Sequence, residues 1–191
     1  LQQVHHIRPD VTILNISLSP IETYINFKLA KRSDNISVKA LRKNAFREDQ
    51  FSKAAYISTL VEALSGSFPD RPIYFALTVY EQFYEDLNQD LYLVGMAMRY
   101  SRERIDNLAH IKKNVETFRL DQLYYQWYNE FRPGKRLRAR IHMNYLPFML
   151  KLADHYRQSG ESDKLDYWKR VAMTVAEAAG DKQAMQKIDA L

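Results

Sequence analysis

The chain contains no cysteine, which removes disulfides, zinc–thiolate sites, iron–sulfur clusters and thiol nucleophiles together. A cysteine-free chain suits the cell interior and the periplasm equally, so the redox compartment stays open. Glycine and proline are scarce, 5 and 6 of 191 residues, which excludes collagen-like and low-complexity character. No stretch approaches the ~18–20 consecutive apolar residues of a membrane span, and the start of the chain lacks the basic-then-apolar layout of a signal peptide. Neither candidate strand is followed by a glycine-rich phosphate loop, so a nucleotide site is not expected. There is no Gly-x-Ser-x-Gly elbow and no pair of carboxylates placed as acid and nucleophile. The five histidines, His5, His6, His110, His142 and His155, show no metal-ligand spacing and read as structural or surface residues. The sequence therefore offers no catalytic residue, no metal site and no cofactor site.

What is present is the make-up of a folded globule, 46% apolar and 27% charged. Its length allows one domain, or one with a small appendage. Lysine and arginine number 28 against 23 acidic residues, a net charge of +5, which fits an anionic surface or ligand without requiring one. Leu1 to His6 reads as the tail of a helix running into the turn Arg8-Pro9-Asp10, so the chain is expected to be excised from a longer protein.

Val11, Ile13, Ile16 and Leu18 form a β-branched run ending at Pro20, which predicts a buried strand. Ser19-Pro20-Ile21-Glu22 has the order of a capping box and predicts a helix from there to about Lys31. Residues 33–48 are ambiguous. Phe51, Ala54, Ala55, Ile57, Leu60, Val61 and Leu64 recur at helical spacing and predict an amphipathic helix stopped by Gly66. Ile73 to Val79 predicts a second strand after the turn Pro69-Asp70-Arg71-Pro72. Strand, helices, strand implies a right-handed parallel crossover. Residues 95–100 fit either a third strand or the end of a helix begun near Asp90. Helices are expected from Phe118 to Phe131, Pro147 to Ser159, Asp163 to Ala179 and onward to Leu191, with Gly160 and Gly180 as stops. Met149, Leu152, Ala153 and Tyr156 should face Leu165, Trp168, Val171, Ala172 and Val175 across a helical hairpin of tetratricopeptide type. One such unit is not an array, and no second copy recurs at that period. The expected fold is thus a small parallel α/β, Rossmann-like part over residues 1–108 and a helical part over 109–191, joined in one compact, mostly helical unit.

In a parallel sheet, ligands gather outside the carboxyl ends of the strands. There the sequence would place Asn15, Ser17, Ser19, Thr78, Tyr80 and Glu81, whose hydroxyls, amide and ring suit a sugar. The same residues also serve local structure, with Ser19 and Glu22 capping a helix and Asn15 holding a turn. Arg132, Lys135, Arg136, Arg138 and Arg140 concentrate five positive charges in nine residues. At an anionic surface each is worth ~1 kcal/mol, which suits phospholipid headgroups or a lipid diphosphate. Equally, they suit a solvated loop whose arginine stems cover apolar surface. No nucleic-acid-binding signature accompanies them. The rings of Phe118, Tyr124, Tyr125, Trp127, Tyr128 and Phe131 could stack on sugar faces, but at helical spacing they read first as core.

Arg8-Pro9-Asp10-Val11-Thr12-Ile13-Leu14-Asn15-Ile16-Ser17-Leu18, then Tyr24-Ile25, Arg71-Pro72-Ile73-Tyr74-Phe75-Ala76 and Leu91-Tyr92-Leu93-Val94-Gly95-Met96-Ala97-Met98-Arg99 resemble the soluble C-terminal part of one membrane-protein family. That family is catalogued as domain of unknown function 2723. It comprises multi-spanning proteins of Gram-negative bacteria related to protein O-mannosyltransferases and other lipid-linked-sugar glycosyltransferases. The resemblance covers most of the chain and implies a domain on the periplasmic face of the inner membrane, reached through upstream spans. It also implies that the catalytic acid and one acidic, threonine-containing strand-and-turn lie upstream of Leu1. The implied role is positioning an acceptor protein, glycan or lipid-linked sugar, without catalysis by this segment and without nucleic acid. The alternative is a free-standing helical-repeat-type module that binds protein partners.

Overall fold

A computed structural model describes residues 11–29, 36–47, 50–118, 120 and 141–191. The fold is mostly helical with two small antiparallel sheets. Its contacts divide the chain into two compact units, one of residues 1–73 with 80–89 and one of residues 74–79 with 90–191. The expected boundary near residue 108 falls inside the second unit.

The first unit contains α1 (Glu22–Leu29), α2 (Val38–Asn44), a hairpin of β1 (Phe46–Arg47) and β2 (Gln50–Phe51), and α3 (Lys53–Ser67). The hydroxyls of Ser37 and Ser52 cap α2 and α3 by accepting the Ala40 and Ala55 amides at 3.3 and 3.1 Å, which satisfies donors the helices cannot use internally. The spacing of α3 buries Ala54, Ala55, Tyr56, Ile57, Leu60 and Val61, and Ile25, Leu29, Val38 and Leu41 of α1 and α2 are buried in the same unit. Gly66 does not stop α3, which continues to Ser67. One glycine in a last turn costs ~1 kcal/mol, too little to end a helix already anchored by packing.

Residues 11–18 are not the predicted strand. They run into successive turns, with the Leu18, Ser19 and Ile21 amides bonded to the Asn15, Ile16 and Leu18 carbonyls. β-branched composition favours an extended chain, but the turn-forming Asn15-Ile16-Ser17 bonds redirect it, and this segment takes part in no strand pairing among the described residues. The capping box is replaced too, for α1 starts at Glu22 and the Ser19 hydroxyl donates to the Ile16 carbonyl at 2.7 Å.

The second unit begins with β3 (Tyr74–Ala76), β4 (Leu91–Leu93) and β5 (Ala97–Tyr100), in the order β3-β5-β4. Short 3₁₀ turns at Glu81–Phe83 and Glu85–Asp90 occupy the chain before β4. Both pairings are antiparallel, which corrects the expected parallel, Rossmann-like arrangement. The cause is local: β4 and β5 are joined by Val94-Gly95-Met96, with Gly95 at φ +132° and the Val94 amide bonded to the Ala97 carbonyl. So short a connection returns the chain only as a hairpin, since parallel neighbours require a crossover of a dozen residues or more. Of residues 95–100, Ala97–Tyr100 are therefore strand rather than helix, and Gly95 and Met96 belong to the turn before it.

Four helices follow among the described residues: α4 (Asn107–Val115), α5 (Leu146–Ser159), α6 (Ser162–Ala179) and α7 (Lys182–Asp189). The apolar stripes of α5 and α6 meet as their spacing predicts, burying Met149, Leu152, Ala153, Trp168, Ala172 and Val175. Phe148 lies at the centre, its ring 5.6 Å from Phe118, 5.9 Å from Tyr145 and 6.1 Å from Trp168. Leu93 and Met96 join this core from the sheet, so one face of the sheet is tied to the helices.

Candidate functional site

The register of the three-stranded sheet sorts its side chains by face. Phe75, Met98 and Leu93 stand in one row, and Tyr74, Arg99 and Tyr92 in the next. Because neighbouring residues point to opposite faces, burial of Phe75 and packing of Leu93 on the helical core turn Tyr74, Arg99 and Tyr92 outward. The other outward pair, Ala76 opposite Ala97, is small and leaves the row uncovered on one side. Strand separation of ~4.8 Å places the two tyrosines on either side of Arg99. The Nε of Arg99 is a buried donor with no hydrogen-bond partner among the described residues.

Tyr92 also lines an open cleft of about 520 Å³ with Arg104, Ile105, Asp106 and Asn107. The cleft forms where the chain leaves β5 and enters α4. Asp106 caps α4, its Oδ1 accepting the Ala109 amide at 3.0 Å, and the Asn107 amide turns back to the Ile105 carbonyl. The cap fixes the carboxylate at the rim while Arg104 remains exposed. A ring, a guanidinium, a carboxylate and an amide together present an apolar plate with both donors and acceptors. This set matches a polyhydroxylated ligand with a flat C–H face better than a purely apolar one.

The residues expected around a strand-end crevice do not share one setting. Asn15 closes a turn, its Oδ1 accepting the Ser17 amide at 2.9 Å while its own amide donates to the Tyr24 hydroxyl at 2.6 Å. Ser17 is exposed, whereas Ser19 is fully buried. Thr78 lies in the turn after β3, in the second unit. Tyr80 is exposed and Glu81 opens a 3₁₀ turn in the first unit, accepting the Asn88 amide at 3.3 Å. The basic run of Arg132, Lys135, Arg136, Arg138 and Arg140 lies outside the described residues, as do Tyr124, Tyr125, Trp127, Tyr128 and Phe131.

A second polar cluster joins α4, α5 and α6. Lys112 Nζ lies 2.9 Å from His155 Nε2, and Lys112 and Lys164 both approach the Tyr156 ring, at 5.4 and 5.1 Å. Hydrogen bonds from Lys164 and Ser159 hold the Glu161 carboxyl below its ordinary range, and Glu161 in turn raises Lys164. Every charge here has a partner, so the cluster reads as a fastening between helices. Among the described residues no group of three potential metal ligands occurs, and no helix is long and apolar enough to cross a membrane.

Tyr92, Arg104, Asp106 and Asn107 escaped sequence reasoning as site residues. Asp106 before the periodic Leu108, Ile111 and Val115 is a legible N-cap signal. The approach of Tyr92 to it depends on strand register. Comparison with protein-family models, curated proteins and solved structures finds no match to this chain.

Proposed function

We propose that this chain is a ligand-positioning domain of a multi-spanning, glycosyltransferase-like membrane protein, held at the periplasmic face of the inner membrane of a Gram-negative bacterium. Its task is to hold a glycan, a lipid-linked sugar or a glycan acceptor near chemistry carried by another part of the protein. The cleft of Tyr92, Arg104, Asp106 and Asn107 carries the reading, because it combines a ring with a planar donor and acceptor set. The sequence resemblance supplies the membrane context.

The test has two arms. Chemical-shift perturbation on adding neutral and uronic-acid oligosaccharides should move Tyr92, Arg104 and Asn107, and Tyr92→Ala should abolish the shifts; no shift with any oligosaccharide sinks the sugar-binding reading. An antibody against this chain, used on fractionated cells, should find a membrane-bound band far heavier than 22.6 kDa that protease added to spheroplasts digests. A soluble band near that mass would instead favour a free-standing, tetratricopeptide-like interaction module, the reading that the packed series α5, α6 and α7 supports.

A further inference from the structure

We propose that α2 and the β1–β2 hairpin form a docking face for an anionic phospholipid bilayer. This inference stands on the first unit alone and does not depend on sugar binding in the second. Phe46 and Phe51 are directly opposed across the hairpin, with ring centroids 5.9 Å apart in an edge-to-face arrangement. Both are left in water, 49% and 37% exposed, although the same unit buries Tyr56, Ile57 and Leu60 completely or nearly so. Two large rings held together on a hairpin form a compact apolar projection rather than scattered surface residues.

The elements that carry and flank that projection are rich in cations. Lys39, Arg42 and Lys43 are exposed on α2, Arg47 on β1 and Lys53 at the start of α3. No acidic residue occurs in α2, β1 or β2, and among the described residues none of these cations is paired with a carboxylate. Glu48 and Asp49, between the strands, lie outside the described residues; counting them, residues 39–53 carry five positive and two negative charges. Two of them are fixed beside the rings, whereas Lys53 Nζ lies 5.4 Å over the Phe83 ring. The Arg42 guanidinium lies 5.9 Å from the Phe51 centroid, and Arg47 Nη1 donates to the Asn44 and Phe46 carbonyls at 3.3 and 3.4 Å.

Rings that enter the acyl boundary while flanking lysines and arginines meet anionic headgroups are the chemistry of interfacial binding. Single-stranded nucleic acid would also accept rings among cations, but it needs open ring faces for stacking. Here Phe46 packs edge-to-face on Phe51, and Phe51 is also approached by Arg42 and, at 5.8 Å, by Tyr56. The geometry leaves ring edges to be buried rather than parallel faces to be stacked on.

The test is co-sedimentation of the 191-residue chain with vesicles of equimolar phosphatidylglycerol and phosphatidylcholine, against phosphatidylcholine alone. Binding is expected only to the anionic vesicles, weakening as salt rises. Lys43→Glu with Arg47→Glu should weaken it roughly tenfold or more, with the helical circular dichroism unchanged because both residues are exposed. Phe46→Trp should show a blue-shifted emission when vesicles are added. The proposal is overturned if the charge-reversed protein binds as the native one does, or if only Arg136→Ala with Arg138→Ala and Arg140→Ala abolishes binding. It is equally overturned if the Trp emission does not move, or if polyuridylate binds with the same dependence on Lys43 and Arg47. Loss of vesicle binding with intact oligosaccharide shifts would sink this inference alone.

Discussion

Tyr56 shows how much one buried polar atom can organise. Its ring is 1% exposed and its hydroxyl donates to the Ser19 carbonyl at 2.6 Å, joining α3 to a turn 37 residues earlier. Tyr56→Phe deletes the donor and orphans that carbonyl, so urea unfolding should show a loss of about 1–2 kcal/mol. Burial raises the Tyr56 hydroxyl above the usual tyrosine value, with Ser19 and Arg42 pulling back more weakly. A raised folded-state value gives stability that is fully present below the unfolded tyrosine value and lost as pH rises through the folded one. The stability gap between native and Tyr56→Phe proteins should therefore shrink above about pH 10; a constant gap would disprove the linkage. In the second unit Phe148, fully buried among three rings, should cost about 3–5 kcal/mol when changed to Ala. The identity of Phe148 as an apolar helical residue is plain in the sequence. Its rank at the centre is not, because that depends on Phe118 and Trp168 arriving from distant segments.

At the scale of elements, the helix ends are the most legible features. α5 and α6 stop at Gly160 and Gly180, at φ +74° and +69°, and the amides of Glu161 and Asp181 return to the Tyr156 and Ala176 carbonyls. That closure needs a left-handed residue, which glycine adopts without penalty. A Cβ at Gly160 meets nothing within 4 Å, so Gly160→Ala isolates the backbone term. It should cost about 1–2 kcal/mol, read as a lower thermal midpoint with the fold unchanged; no shift would mean the turn tolerates another closure. Strands were read less well for a physical reason. Val11 to Leu18 has strand composition but turns at Asn15, while Ala97–Tyr100 pairs through a three-residue hairpin with β4 and with β3 across some twenty residues.

For the molecule as a whole, two units with separate cores predict two groups of slowly exchanging amides. Protection should concentrate around Tyr56, Ile57 and Leu60 in one unit and around Leu152, Ala153, Ala172 and Val175 in the other. Fast exchange throughout α5 and α6 would contradict the packing described. By itself the sequence determined the helical majority, the ends of α5 and α6 and the apolar stripes that join them. These follow from caps, positive-φ glycines and 3.6-residue spacing, which act within a few residues of each other. Only the tertiary structure decided that β3 pairs with β5, that Asn15, Ser19 and Thr78 serve in separate settings, and that Tyr92 meets Arg104, Asp106 and Asn107. Strand pairing decides these because a shift of one residue in register reverses every side chain across the sheet.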